Sequence, residues 1–303
     1  MYFLRRVIFL IPLLLIISML AFGLMRLAPG GPFDKERAPA SPEIERNLKA
    51  KYHLDKPIHV QYWIWLSSVV KGDFGPSLQY RSHNVNDIIA DGLPITLVLG
   101  GLSFCFAIGL GIPVGFATAV KKGEWQDYLG SFLSILAICI PALVVGPILV
   151  MVFAVQWELL PVALVRSPMH LILPTITLGL YFAGRVARLM REGMLGTLDA
   201  EFITAARAKG VSESSIVLRH AFRIGVLPVI SYSGPLFADV MIGSFVVENL
   251  FRIPGIGVFL VNSSLNRDYT LLISLVLLYA VAVLVANLIV DLAYSRLDPR
   301  VKI

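Results

Sequence analysis

The sequence predicts an all-α integral membrane protein with six transmembrane helices, and two observations carry this prediction. Of its 303 residues, 57% are hydrophobic and only 15% are charged, whereas soluble domains carry about 25% charged residues. Several apolar runs also reach the roughly 20 residues that a helix needs to cross a bilayer.

Six runs have this length and are expected to span at about residues 7–25, 93–120, 127–156, 169–190, 225–248 and 270–294. The first run follows Arg5 and Arg6. It is longer than the ~7–15-residue core of a signal peptide and no small-residue cleavage site follows it, which favours a retained anchor. Prolines and glycines inside later runs are compatible with membrane helices, because neighbouring helices satisfy the freed backbone groups.

Three segments follow from these spans: an N-terminal helix at 1–27, a loop region at 28–92, and a five-helix core at 93–303. The loop region is rich in proline, glycine and charges of both signs. Within it, residues 41–54 predict a surface helix, with Ser41 as N-cap and Pro42 at its first position.

The tryptophans Trp63 and Trp65 also fall in the loop region, and indole rings favour the membrane interface. We therefore expect a structured extracytoplasmic loop after the first helix.

The distribution of charge predicts the orientation. The termini and the loops near 121–126 and 191–224 together carry 14 of the 26 basic but only 8 of the 20 acidic residues, whereas the other side is balanced. Because short loops rich in Lys and Arg stay in the cytoplasm, both termini are expected there and residues 28–92 outside. The net charge of +6 therefore requires no nucleic-acid partner.

The largest cytoplasmic loop, residues 191–224, is predicted to hold two short helices that meet at Gly210. Glu201 suits the positive end of a first helix, Gly210 a left-handed helix end, and Ser212 the N-cap of a second helix.

One face of the first helix carries alanine where a helix packed on its own core would carry Leu, Ile or Phe. Ala205 and Ala206 allow close approach, and Arg207 and Lys209 flank them. This pattern suits insertion into a groove on a partner protein. An interfacial helix facing anionic membrane lipid is the alternative.

The loop resembles a known family. ARAKG at 206–210, followed after nine residues by His220, is similar to the cytoplasmic loop of permease subunits of binding-protein-dependent ABC importers. Further resemblances follow the family order: MRLAPGGPF (25–33), KGDFGPS (71–77), VVENLFRIPGIGVFLVNSSLNRDY (246–269) and DPRVK (298–302).

Two departures qualify the resemblance. Thr204 stands where the family motif has glutamate, and His220-Ala-Phe-Arg replaces the Ile-x-Leu-Pro of the wider family. The second departure favours the peptide branch over sugar or ion permeases.

The resemblance implies a type I ABC importer permease fold in a bacterial cytoplasmic (inner) membrane. It also implies the pore-forming B-type subunit of an oligopeptide importer; dipeptide, glutathione and nickel permeases share the framework and remain alternatives. Implied partners are a homologous second permease, two cytoplasmic ATPase subunits that bind ATP and Mg, and an extracytoplasmic peptide-binding protein. The implied docking surface consists of Thr204, Ala205, Ala206, Arg207, Lys209, Gly210 and Val211.

The sequence is consistent with ATP hydrolysis on separate subunits. It has no G-x-x-x-x-G-K-[ST] phosphate loop, so ATP hydrolysis is expected on the partners, with no cofactor and no catalytic residue in this chain. The histidines lack metal-ligand spacing, and no metal site is expected. An ion-coupled secondary transporter and a membrane-embedded hydrolase are the other classes. The first would need several intramembrane acids or broken helices in related halves, and Asp239 alone gives it little support. The second would need a nucleophile with a base at membrane depth, and none is evident in the sequence.

Charged residues near the spans are the remaining candidates, because intramembrane charge is costly. Asp239, midway along the fifth span, is expected to face the translocation pathway; a structural hydrogen bond to a neighbouring helix is the alternative. Glu248 and Arg252 are expected to fix the external segment after that span.

Two further groups receive structural interpretations. Arg185, Arg188 and Arg191 share one helical face and predict a stripe facing solvent or lipid phosphate. Cys105 and Cys139 lie in apolar runs and are expected to be small buried side chains rather than a metal or redox pair.

Overall fold

The computed structural model describes residues 2–27, 54–80, 83–162 and 164–297. The surface helix expected over residues 41–54 lies outside these residues except for Leu54, and so does the tail motif at 298–302.

The regular elements of the described residues are helices. Their bounds are α1 Tyr2–Leu27, α2 Ile58–Val69, α3 Val85–Val120, α4 Trp125–Cys139, α5 Ala142–Leu149, α6 Ile172–Leu198, α7 Glu201–Ala208, α8 Glu213–Ser215, α9 Phe222–Gly225, α10 Leu227–Leu250, α11 Ile256–Leu265 and α12 Tyr269–Leu297. A π-helical segment, Val150–Gln156, continues α5, and another, Ile216–Ala221, joins α8 to α9.

Five of these helices, α1, α3, α6, α10 and α12, are long and apolar enough to cross a membrane. The α4–α5 pair passes the same test only when it is taken together, which makes up to six spans. By length, α11 is too short to cross: ten residues extend about 15 Å, half the thickness of the hydrocarbon core.

The span expected over 127–156 is a bent pair of helices in the structure rather than one straight helix. α4 and α5 are bent by 105° relative to each other, and Ile140 between them is extended at φ −84° and ψ 118°. The cause is Pro141, which disfavours helical geometry at the residue before it and has no N–H to continue the ladder.

The helix ends also differ from the expected spans. α3 begins at Val85 rather than near 93, and α6 continues to Leu198 rather than ending near 190. The first residues of the expected 191–224 loop therefore belong to α6.

The chain divides into two compact units, residues 1–95 with 255–282 and residues 96–254 with 283–303. This division follows packing, whereas the three segments expected from the sequence follow membrane sides. Those segments remain a prediction.

The first unit has an aromatic core between α1, α2 and the start of α12. Its buried members are Phe22, Tyr62, Leu78, Tyr269 and Ile273. The Ser18 Oγ and the Tyr62 hydroxyl are hydrogen-bonded at 2.8 Å, which holds α2 against α1.

Asp268 joins the 71–80 segment to the beginning of α12 by hydrogen bonds. Its buried carboxylate accepts hydrogen bonds from the N–H groups of Leu78 (3.2 Å), Gln79 (3.3 Å) and Leu271 (3.2 Å) and from the Ser77 hydroxyl. The bond from Leu271 caps α12, because the first N–H groups of a helix have no partner within it.

The second unit is built around α6, which packs against α4, α5 and α10. Glycines also allow α3 to lie close to α6. A Cβ placed on Gly115 in α3 would lie 2.2 Å from the carbonyl oxygen of Ala187, and one on Gly111 would lie 2.6 Å from the Cβ of Val186. Such close backbone approach is typical of membrane helix interfaces.

An ion pair between the buried Asp127 and the half-buried Arg191 joins α4 to α6 in the same unit. Arg191 donates from Nε to Asp127 Oδ1 at 2.7 Å and from Nη2 to Oδ2 at 2.9 Å, in a bidentate arrangement. The expected solvated arginine stripe is therefore wrong at Arg191. The sequence could not show that a carboxylate 64 positions away lies opposite.

The expectation that the cysteines are buried is also wrong, because both Cys105 and Cys139 are exposed. Apolar side chains on membrane helices face lipid as readily as they face other helices. A cysteine in an apolar run is therefore not necessarily part of the protein core.

Candidate functional site

The segment after α6 forms an elbow, defined here as residues 201–225. α7 is its first limb, and α8, the π-helical segment and α9 form its second limb. The limbs meet at Gly210, which has φ +76°. The predicted left-handed helix end at Gly210 is therefore confirmed.

The hydrogen bonds at this turn explain why the position favours glycine. Gly210 N donates to the carbonyl of Arg207 at 3.0 Å, and Val211 N donates to that of Ala206 at 3.2 Å. This pair of bonds is the Schellman arrangement, which requires a left-handed residue after the helix. A Cβ at Gly210 meets no atom within 4 Å, so the cost of substitution lies in the backbone and not in crowding.

An ion pair connects the two limbs across the turn. Arg207 donates from Nη2 to Glu213 Oε1 at 2.6 Å and from Nε to Oε2 at 3.1 Å. These hydrogen bonds lower the pKa of Glu213, and they raise that of Arg207. Both side chains are open to solvent, so the pair restrains the angle of the elbow more than it adds stability.

α7 rests on the rest of the unit through one side chain. Ile203 is 0% exposed, and it is the only buried residue of α7. Its neighbours Thr204 and Ala205 are exposed, and Ala206 is half-buried. The sequence pattern predicted the alanine face of α7 but did not indicate that Ile203 anchors the helix.

The second limb is fixed firmly to the span that precedes the elbow. Ile216 and Ala221 are fully buried. At the base of the limb, a Cβ on Gly193 of α6 would lie 2.2 Å from the carbonyl oxygen of Gly225. The two backbones touch there, so the base of the second limb is in direct contact with the end of α6.

Ser212 occupies the predicted N-cap position of α8, but its side chain makes no capping hydrogen bond. His220 is exposed, and its Nδ1 lies 3.1 Å from the carbonyl oxygen of Ser215. Neither residue adds chemistry to the elbow.

The seven residues predicted as a docking surface lie at the end of α7 and in the turn that follows it. Five of them, Thr204, Ala205, Arg207, Lys209 and Gly210, are exposed, and Ala206 and Val211 are half-buried. These residues are therefore accessible to a partner, and their role as a docking surface remains a prediction.

Asp239 lies on α10 and faces a cationic side chain of α6. The Asp239 Oδ2 is 3.9 Å from Arg185 Nη1, and the Asp239 side chain is 50% exposed. The Arg185 guanidinium also lies over the rings of Tyr181, at 5.8 Å, and Tyr232, at 5.1 Å. Asp239 therefore contacts a neighbouring helix and is also open to its surroundings, so contact with substrate remains a prediction.

Glu248 has a structural position near the end of α10. It is buried and accepts a hydrogen bond from Thr96 Oγ1 at 2.7 Å, while its backbone carbonyl accepts one from Ile253 N at 2.8 Å. Arg252, between them, has φ +52°. These bonds fix the chain where it leaves α10. Within the described residues, no group of His, Cys, Asp and Glu has the arrangement of a metal site.

Comparison with known proteins places these features in context. Residues 111–303 match the family model of the binding-protein-dependent transport system inner membrane component, and residues 1–100 match the corresponding N-terminal model.

Several characterised proteins are similar over nearly the whole chain. The oligopeptide transport system permease protein OppB of Haemophilus influenzae is 41% identical over 98% of both chains. The dipeptide transport system permease protein DppB of Bacillus subtilis is 38% identical over 96% of this chain and 94% of that protein. The glutathione transport system permease protein GsiC of Salmonella paratyphi A is 37% identical, over 99% and 98%.

Solved structures establish the fold. The MetNI methionine ABC transporter in an inward-facing conformation has a chain with a TM-score of 0.59 at 16% identity, covering 70% of this chain and 96% of that one. An amino acid ABC transporter has a TM-score of 0.54 at 17% identity, covering 69% and 94%. The all-α permease fold of type I importers that was expected from the sequence is confirmed.

Proposed function

The chain belongs to the family of binding-protein-dependent transport system inner membrane components, and we propose that it is the pore-forming permease subunit of an ATP-driven oligopeptide importer. Its membrane is the bacterial cytoplasmic membrane. The names of the three relatives describe oligopeptide, dipeptide and glutathione transport, all peptide cargoes, which supports peptides as the substrate class.

The observation that carries the proposal is the elbow. A helix of eight residues, about 12 Å long, carries small alanine side chains, and Ile203 is its one buried residue. It suits the helix-in-groove mode of binding. The groove belongs to a cytoplasmic ATPase subunit, which binds ATP and Mg and hydrolyses ATP; this chain has no such activity.

The charges on the elbow define the chemistry of that groove. Arg207 is neutralised by Glu213, whereas Lys209 makes no ion pair with any described residue. Among the seven docking residues, Lys209 is therefore the charge that remains for the partner, and we expect an acidic side chain in the groove. Thr204 stands beside the alanine face as a small neutral residue.

Transport proceeds by alternating access in this proposal. ATP-driven closure of two ATPase subunits displaces the elbows of this chain and of a homologous second permease. The contact between Gly193 and Gly225 passes the displacement to α6, and the chain continues from α9 directly into α10. Both spans then move together, and ATP hydrolysis resets them.

An extracytoplasmic peptide-binding protein delivers the cargo on the opposite side, and both termini lie in the cytoplasm. The distribution of basic residues supports this orientation. Dipeptide, glutathione and nickel importers of the same family are the alternatives for the cargo. The identities of 41%, 38% and 37% favour oligopeptides by a small margin.

The proposal is tested on the tagged chain purified from its native membrane. Two ATPase subunits and a second permease are expected to co-purify, and proteoliposomes of the complex with its binding protein are expected to accumulate peptides of three or more residues on addition of ATP. A chain that purifies alone, or a complex that imports only dipeptides or nickel, would refute the oligopeptide importer.

The docking residue Ala206 provides a sharper test. Ala206→Trp places an indole ring on the shallow face and is expected to abolish ATP-driven uptake while the protein still inserts in the membrane. Ala206→Ser keeps the small size and serves as the matched control with normal uptake. Normal uptake in the tryptophan variant would place the docking surface elsewhere.

A further inference from the structure

A second feature lies in the first unit. An open cavity of about 240 Å³ is lined by the end of α1, one face of α2, the 73–78 segment and the start of α12. The α2 face carries Gln61, Ile64, Trp65 and Ser68 at the i, i+3, i+4, i+7 spacing of a helix.

Three polar groups in the cavity wall are buried without a hydrogen-bond partner. They are Arg26 Nε, Gln61 Oε1 and Trp65 Nε1. Gln61 is only 8% exposed. Its Nε2 donates to the carbonyl of Lys56 at 2.6 Å, which fixes the amide with its oxygen as the unpaired end. Each unpaired buried group costs about 1–3 kcal/mol, so three in one cavity indicate a ligand with matching polarity.

Arg26 lies against aromatic rings. Its guanidinium carbon lies 4.7 Å from the ring centre of Tyr269 and 5.3 Å from that of Phe22. No described carboxylate forms an ion pair with it. A guanidinium and the indole N–H of Trp65 in the lining of one cavity offer two kinds of donor to a phosphate or carboxylate.

The position of the cavity favours a phospholipid. Arg26 is the second-last residue of α1 and Tyr269 the first of α12, and both helices are candidate membrane spans. Helix ends with Arg and Trp lie at the level of the lipid headgroups. Leu27 and Val70, near the two helix ends, are about 80% exposed and can face acyl chains.

The hydrogen-bond acceptor Gln61 Oε1 limits which lipid headgroups fit the cavity. Gln61 Oε1 requires a hydrogen-bond donor, and Asp73, which also lines the cavity, attracts a cation. A phosphoethanolamine headgroup supplies a phosphate for Arg26 and Trp65 and an ammonium group for Gln61 and Asp73. A choline headgroup has no N–H, and a glycerol headgroup has no positive charge.

We infer that this cavity binds the headgroup of an aminophospholipid, with its phosphate on Arg26 and Trp65 and its ammonium on Gln61. The site is independent of the elbow and of the cargo that the chain carries. Its role is to complete the contact between α1, α2 and α12 at the membrane surface.

Native mass spectrometry of the full chain, purified with its partners, tests this inference. The sample is equilibrated with equal amounts of phosphatidylethanolamine, phosphatidylcholine and phosphatidylglycerol of the same acyl chains. Retention of phosphatidylethanolamine is expected to exceed that of phosphatidylcholine by about tenfold, the effect of one charge-assisted hydrogen bond. Equal retention of the three lipids, or none, would show a hydrated cavity and overturn the inference.

Variants of the lining residues distinguish binding of the phosphate from binding of the ammonium group. Trp65→Phe and Arg26→Gln are expected to reduce retention of both phosphatidylethanolamine and phosphatidylglycerol, whereas Gln61→Leu removes only the preference for the amine. Trp63→Phe, an exposed tryptophan on the same helix, is the matched control and retains the lipid. Unchanged retention in the Trp65 and Arg26 variants, or displacement of the lipid by an added oligopeptide, would refute a lipid site.

Discussion

Replacing Ile203 with alanine is expected to release α7 from the body of the protein. Ile203 is fully buried and is the only buried residue of α7, which packs against the π-helical segment of the second limb. The turn at Gly210 and the ion pair across it remain in the variant. α7 would therefore stay helical and connected to the second limb at its end, but it would no longer be packed against the protein through the side chain of residue 203.

The size of the effect follows from the buried side chain. Isoleucine to alanine removes three carbons, which at about 0.8 kcal/mol for each buried CH₂ amounts to ~2.4 kcal/mol. A free-energy difference of this size raises the undocked population of α7 roughly 60-fold. Ile203→Val removes one carbon, which corresponds to about 0.8 kcal/mol and a rise of roughly fourfold.

Hydrogen exchange of the α7 amides measures this population directly, in the assembled transporter in lipid nanodiscs. The exchange rates are expected to increase in the order native, Ile203→Val, Ile203→Ala, and the number of peptides imported for each ATP hydrolysed to fall in the same order. Identical exchange rates in the three proteins would refute the argument that Ile203 anchors α7.

Three other changes have definite outcomes. Gly210→Ala is expected to cost roughly 1–2 kcal/mol, because the left-handed backbone disfavours a Cβ, and to loosen α7 in hydrogen exchange without lowering expression. Asp268→Asn replaces one of two carboxylate oxygens, each of which accepts two hydrogen bonds, with an amide NH₂ that cannot accept them. It is expected to destabilise the first unit by about 1–3 kcal/mol, seen as a lower melting temperature of the purified chain. The pKa of Glu213 is lowered by its hydrogen bonds with Arg207. The ion pair is therefore complete above the ordinary glutamate pKa of 4.5 and is lost as the pH falls through the lowered pKa. Carboxyl NMR should show this titration, and Arg207→Gln should restore the ordinary pKa of Glu213.

Much of the elbow was predictable because its signals are local. A helix start at Glu201 and a glycine helix end depend on neighbours within a few residues, and the alanine face repeats with the helical period. The anchor Ile203 was equally visible in the sequence. Its importance depends on what lies opposite, which no local pattern reveals.

The features that the sequence could not predict all depend on distant contacts. Arg191 was expected to face solvent because its partner Asp127 is 64 positions away. The closeness of Gly193 and Gly225 requires a known path of the chain between them. The exposed cysteines have a different cause, since hydrophobicity in a membrane protein does not separate lipid-facing from buried positions.

The contact between Asp268 and the 71–80 segment has a consequence for how the chain is made. Leu78 and Asp268 are separated by 190 positions, which a ribosome covers in roughly 10–40 s at about 5–20 residues per second. During that interval the 71–80 segment lacks the carboxylate that will bind its N–H groups. The first unit can therefore become complete only after nearly all of the chain has been synthesised, and a truncated chain that ends before α12 leaves this segment without its partner.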